Sequence, residues 1–338
     1  MQIKPLTNKN YLSFIFFLLI FLIGIFSFKD YGVSTDEQFH RENGSFYYSY
    51  AKSFLSSPNS PETKAAEKLI EKNINLGGAI FGTPSVQPVF FDLIAEFFIE
   101  KLNYKTSKDI YQFRHLLNFI FYFIGLFFFY KLILLRYKSY NYAFIGVLFL
   151  FLSPRFFAES FYNQKDIFFL SLTIINMYTG IVFVNNPNFK NTFAFSLSSA
   201  LLFDTRIMAL IPIFTIFFIF FLKSLKSNEY LIKNLKFIIF FIPITLFFIF
   251  LFWPYIWNDP INNFLFGFSE LLSVESSITS LYLGEFILSK NAPWHYQVVW
   301  IVVTSPVIII LLFVLGLFFL IRRLFNRLIV VDKKSNEL

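Results

Sequence analysis

Apolar runs interrupted by short charged stretches set the rhythm of this chain. The first long oily segment covers residues 11–28, and others cover 111–134, 141–154, 167–184, 192–204, 206–222, 237–254 and 297–321. Runs of about 18 or more apolar residues are long enough to cross a bilayer as helices. The segments at 141–154 and 192–204 are short, and local thinning of the bilayer or packing inside a bundle accommodates them. The pattern therefore predicts an all-α, polytopic transmembrane bundle of about eight spans, formed as a single domain over residues 1–338. No small-residue cleavage site follows the first segment (GIFSFKDYG), so it reads as a retained helix.

Two stretches between the oily runs are long. Residues 29–110 hold a Pro/Ser-rich piece (SSPNSPETK), an amphipathic helix around residues 65–73 and a Gly-rich turn (NLGGAIFGTPS). They end in QPVFFDLIAEFFIEKL, whose Asp92, Glu96 and Glu100 suit an interfacial helix better than a spanning one. Residues 255–296 form the second long stretch.

Composition agrees with the pattern. Hydrophobic residues make up 56% and charged residues 15%, against about 25% charged in soluble domains. The 54 phenylalanines carry more apolar surface than one soluble core hides. No cysteine is present, which removes disulfides, thiolate metal sites and thiol nucleophiles. The net charge of +8 is not the footprint of a nucleic-acid binder, because Lys and Arg gather in particular loops. With the N-terminus in the cytoplasm, Lys4, Lys9, Lys131, Arg136, Lys138, Lys190, Lys223, Lys226, Lys233, Lys236 and the basic tail fall on one side. The short loops opposite carry only Arg155, Lys165, Arg206 and Lys290. That asymmetry predicts eight spans with both termini inside. It also requires residues 192–222 to form a hairpin with Asp204 and Arg206 at its tip.

The expected outer face collects most of the other charges. Asp36, Glu37, His40 and Arg41 follow the first span, and Arg114 with His115 opens the second. SPRFFAESFYNQKD brings Lys165 and Asp166, and the hairpin tip brings Arg206. WPYIWNDP and APWHYQ, the latter holding His295, complete the set. Taken singly, each has a plain reading: solvated loop acids, a snorkelling arginine, an aromatic belt. Their convergence at one boundary points to a shared polar cavity, since ionisable groups at the hydrocarbon edge are costly unless paired or hydrated.

In its ordered motifs the chain resembles the GT-C membrane glycosyltransferases, specifically the protein O-mannosyltransferase and lipid A aminoarabinose transferase group (family 39-like). The residues that carry this are the Asp-Glu pair in STDEQFH, the juxtamembrane QPVFFDLIAEFF, the arginine in YQFRHLLNFIFYFIGL, and the turn LSPRFFAESFYNQKDIFFLSL. The resemblance covers roughly residues 10–315. It implies transfer of a sugar from a polyprenyl-phosphate donor to a lipid, glycan or protein acceptor, outside the cytoplasm. Asp36 is then the base or acceptor-orienting acid, with Glu37 beside it. Arg114, Lys165 and Arg206 are candidates for the donor phosphate, with Asp166 and His295 as further substrate-site residues. The group includes metal-dependent and metal-independent members, which leaves a divalent metal open, with His40 its candidate ligand. Many relatives are longer, so the chain is either a compact member or shares its acceptor site with a partner subunit. The inner membrane of a bacterium is the expected location. Three other classes compete: a transporter or flippase, which should carry its polar groups at the bilayer midplane, a lipid-linked oligosaccharide polymerase or ligase, and a non-catalytic membrane subunit or degenerate relative.

Overall fold

The computed structural model describes residues 8–75, 85–225, 228–272 and 279–335. The Gly-rich turn expected near residues 75–85 lies almost wholly outside the described residues. The chain divides into two compact units, one of residues 1–151 and 156–274 and a smaller one of residues 152–155 and 275–338.

In the larger unit the helices run in chain order as α1 (Asn8–Ser27), α2 (Thr35–Ser56), α3 (Pro61–Asn75), α4 (Phe90–Lys101), α5 (Ser107–Tyr137), α6 (Tyr140–Phe151) and α7 (Pro154–Tyr162). They continue as α8 (Asp166–Asn185), α9 (Phe189–Phe203), α10 (Leu210–Leu225), α11 (Asn228–Phe252) and α12 (Pro260–Leu272). The smaller unit holds a hairpin of β1 (Thr279–Tyr282) and β2 (Glu285–Leu288), paired Thr279 to Leu288 and Tyr282 to Glu285, then α13 (Tyr296–Thr304) and α14 (Val307–Ser335).

The chain is a helical membrane protein. By length and composition five helices qualify as spans: α5, α8, the Ile207–Leu225 segment, Glu229–Phe252 of α11, and Val307–Asn326 of α14. The pair α6 and α7, bent by 66° at their break, makes a sixth if taken as one crossing. This is fewer than the eight apolar runs in the sequence, for local reasons. The apolar part of α1 stops at 17 residues, and α9 has 15. Helix α6 has 12 residues and qualifies only together with α7. The last run still supplies a span, but one that starts after Pro306, which has no N–H to donate. The stretch 192–222 does break at Asp204–Arg206 into two helices.

Helix α5 organises the larger unit. Thr106 caps its start by accepting from Asp109 N–H at 3.1 Å, and it ends where Lys138 turns left-handed at φ 53°. One side packs on α1 and α6, where Phe17, Phe119, Tyr122 and Phe161 are buried together. The other side packs on α8, which is followed by α9, α10 and α11 in a second aromatic core. There Phe183 stacks between Phe195 and Phe220, with ring centres 5.6 and 5.9 Å away. Small residues permit the closest approaches, as is usual where apolar solvent supplies no drive to bring helices together. A Cβ added at Gly125 of α5 would lie 2.9 Å from the Ser171 backbone on α8. Gly125→Ala is therefore expected to lower stability by about 1–3 kcal/mol through overpacking. Thermal unfolding in lipid nanodiscs measures this, and an unchanged midpoint would show that α5 and α8 do not meet there.

Candidate functional site

Helix α2 begins as a polar segment with a helix-start signature. Glu37, in its first turn, reaches back to accept the Ser34 N–H at 2.6 Å, satisfying a donor that a helix N-terminus leaves free. Its other oxygen meets His115 Nε2 of α5 at 2.9 Å, and both side chains are buried. Glu37 thereby fixes the start of α2 against α5. Asp36, one position earlier, remains exposed. The two acids diverge because successive helical positions point about 100° apart.

A second set of bonds places Lys165. Asn43 Oδ1 accepts from Ser85 N–H at 2.8 Å, Tyr47 O–H donates to Ser85 O at 2.9 Å, and Trp253 Nε1–H donates to Val86 O at 3.1 Å. With residues 85–86 held by three buried side chains, Gln87 Oε1 is in place to accept from Lys165 Nζ. Lys165 directly precedes α8. Asp166, the next residue, accepts from Asn163 Nδ2 at 3.1 Å and pairs with Arg206, which follows the break after α9.

These elements enclose a polar cavity of about 250 Å³. Asp36, Glu37, His40, Lys165, Asp166 and Arg206 line it, together with Ser34, Thr35 and the Tyr162–Gln164 turn. Its volume falls just under the roughly 300–1,000 Å³ of typical small-molecule sites, a size for a compact headgroup. Burial, with Arg206 nearby, presses the Lys165 ammonium down to about 8, against the pull of Asp166, Asp36 and Asp92. Burial together with the positive charges of Lys165, Arg114 and Arg206 presses His40 to about 3, so its ring is neutral at ordinary pH. Among the described residues no three His, Cys, Asp or Glu side chains converge as a metal site, at His40 or elsewhere.

Six of the eight expected site residues thus meet in one place. Arg114 is not among the cavity's lining residues. It is buried beneath, over the Phe91 ring, with one guanidinium nitrogen shared by Asp92 and Gln164 Oε1 (2.7 Å to the latter) and another on Glu96 at 3.2 Å. Its two terminal nitrogens are bonded to α4 and to the turn before α8, while its buried Nε has no partner among the described residues, so the contacts it makes are those of a structural tie. Burial pushes the Asp92 carboxyl above its ordinary range while Arg114 opposes this. His295 belongs to the smaller unit, where its Nδ1 lies 2.6 Å from Tyr282 O–H. The sequence held a sign of the Arg114 partners, since Asp92 and Glu96 fall four apart on one helical face.

Two outcomes follow. Removing one partner of a buried ion pair costs about 3–5 kcal/mol. Arg114→Gln should thus lower the unfolding midpoint steeply, while the folded fraction keeps its affinity for an anion; weakened anion binding at full stability would return Arg114 to the site. Lys165 carries its charge below about pH 8 and loses it as pH rises. Affinity for a short-chain lipid phosphate, read by microscale thermophoresis, should then fall by up to about tenfold per pH unit above that point. Lys165→Arg, whose guanidinium stays charged, should hold affinity to higher pH. A flat profile in the unaltered protein would remove Lys165 from anion binding.

Comparison with known protein families, with curated proteins and with solved structures finds no match to this chain.

Proposed function

We propose that the chain is a membrane glycosyltransferase that moves a sugar from a polyprenyl-phosphate donor to a hydroxyl acceptor at the non-cytoplasmic face. The single observation that carries this reading is the meeting of Asp36, Lys165 and Arg206 around one headgroup-sized cavity, the residues to which the family resemblance gives these roles. A lipid-borne phosphate lies where hydrocarbon meets water, and its recognition there calls for cations at the edge of apolar helices. Lys165 is the better placed of the two, because it is bonded to a neutral amide while Arg206 already holds Asp166. An arriving phosphate competes with Asp166 for the Arg206 fork, which suits planar, bidentate contact.

In the transfer, the bond from the sugar carbon to the phosphate oxygen breaks and its electron pair leaves with the phosphate. The acceptor oxygen forms the new bond, and Asp36 takes the proton that this oxygen sheds. Charge that grows on the leaving phosphate is held by Lys165 and Arg206, fixed in place before the reaction, so they stabilise the transition state more than the ground state. Glu37 serves as a positioning residue, because its oxygens are spent on Ser34 N–H and His115.

An apolar groove of about 640 Å³ between α1 and α5, lined by Phe17, Phe21, Phe123 and Phe127, lies apart from this cavity. Its walls, apolar apart from the hydroxyls of Ser13, Tyr130 and Tyr140, fit a hydrocarbon chain.

Asp36→Asn keeps shape and removes the base. Transfer of radiolabelled sugar from polyprenyl-phosphate donors should fall by about 10²–10⁴-fold, with donor binding retained. Undiminished transfer would exclude Asp36 as the base. Sugar flux across vesicles without a covalent product would replace the transferase with a transporter.

A further inference from the structure

Beside the polar cavity lies a much smaller one of about 20 Å³, which shares His40, Gln164 and Lys165 with it and reaches Asp92, Asp204 and Thr205. Asp204 sits in the turn after α9, its N–H donating to Ala200 O at 2.8 Å. Its side chain is 1% exposed, and neither carboxyl oxygen has a hydrogen-bond partner among the described residues. Gln164 is 5% exposed. Its Oε1 accepts from Arg114, which fixes the orientation of the amide, and its Nε2 likewise lacks a partner. One small hole is thus lined by a buried group with donors to give and a buried group with oxygens to offer. Native interiors rarely leave either unsatisfied.

Size and polarity select the occupant. A single water needs roughly 10–15 Å³ of such space, so the hole takes one water and neither a phosphate nor a sugar ring. The Gln164 N–H groups and the Lys165 ammonium repel a bare cation. We propose that this hole is a single-water site, in which one buried water accepts from Gln164 Nε2 and donates to the Asp204 carboxyl. That water ties the α9–α10 turn, which carries Arg206, to the turn that carries Lys165. It holds whether or not the chain transfers sugars.

The charged and titratable groups facing Asp204 are His40 from α2, Asp92 from α4 and Lys165 before α8, with Arg206 next along its own turn. Burial holds the Asp204 carboxyl well above the usual carboxylate range. The folded protein then keeps a proton that the unfolded chain releases above about pH 4. For a raised carboxyl, stability declines as pH climbs from the unfolded value toward the folded one.

Two variants test the site by thermal unfolding in nanodiscs, with difference infrared spectroscopy reading the water directly. Asp204→Asn still offers the water an oxygen but cannot ionise. Its midpoint should match the unaltered protein near about pH 5 and exceed it near about pH 8. Asp204→Leu offers the water nothing and leaves Gln164 Nε2 bare, so its midpoint should fall at both. The unaltered protein should show an O–H stretch that shifts in H₂¹⁸O and is lost in Asp204→Leu. The proposal is overturned if that band is missing, or if the Leu variant matches the Asn variant. A midpoint that rises with sodium or potassium chloride only when Asp204 is present would also overturn it, in favour of a cation site.

Discussion

One buried guanidinium sets the terms for the rest of this structure. Arg114 enters α5 with no exposed surface on its side chain, and no solvent offsets its charge there. Taking such an ion out of water costs several kcal/mol even after relaxation, and only well-placed partners repay it. Asp92 and Glu96, one turn apart on α4, supply the opposing charge, and Gln164 supplies a neutral acceptor from the turn before α8. Two parts of the chain, at residues 92–96 and 164, are thus bound to the side chain of a third, at residue 114. The close contact of α2 with α4 adds a fourth, because Gly44 sits where a Cβ would lie 2.3 Å from the Asp92 Cβ.

The cavity above inherits its character from this tie. With Gln164 held, the neighbouring Lys165 is directed at Gln87 and faces the cavity half-buried, where its charge is sensitive to pH. With α4 held, the start of α2 comes against α5 and the Glu37–His115 contact closes. Asp36 is the acid left over, on the open side of the first turn. The division of labour between the two adjacent acids therefore comes from helix geometry, one anchoring and one exposed.

The membrane class and most helices were legible in the sequence, because runs such as residues 111–134 and 237–254 allow little else than apolar helices. Helix α2 was harder to see, since its polar residues leave no apolar run. Its only local sign is Ser34 followed three residues later by Glu37. The meeting of Asp36, Lys165, Asp166 and Arg206 could be expected from their shared place at helix boundaries. The part played by Arg114 could be read only in part: the spacing of Asp92 and Glu96 offers a carboxylate pair, but a charge in a sequence does not reveal whether it meets carboxylates 18 and 22 residues away or a ligand. His295 shared the same pattern of place and residue type, yet it lies in a separate unit.

The account depends on residues 36 and 206, far apart in sequence, facing the same small volume. Because the chain has no cysteine of its own, the double variant Asp36→Cys, Arg206→Cys permits a direct measurement with a short thiol-specific cross-linker in intact membranes. A high yield of intramolecular cross-link is the predicted result. Efficient labelling of each single variant without any cross-link in the double variant would contradict it.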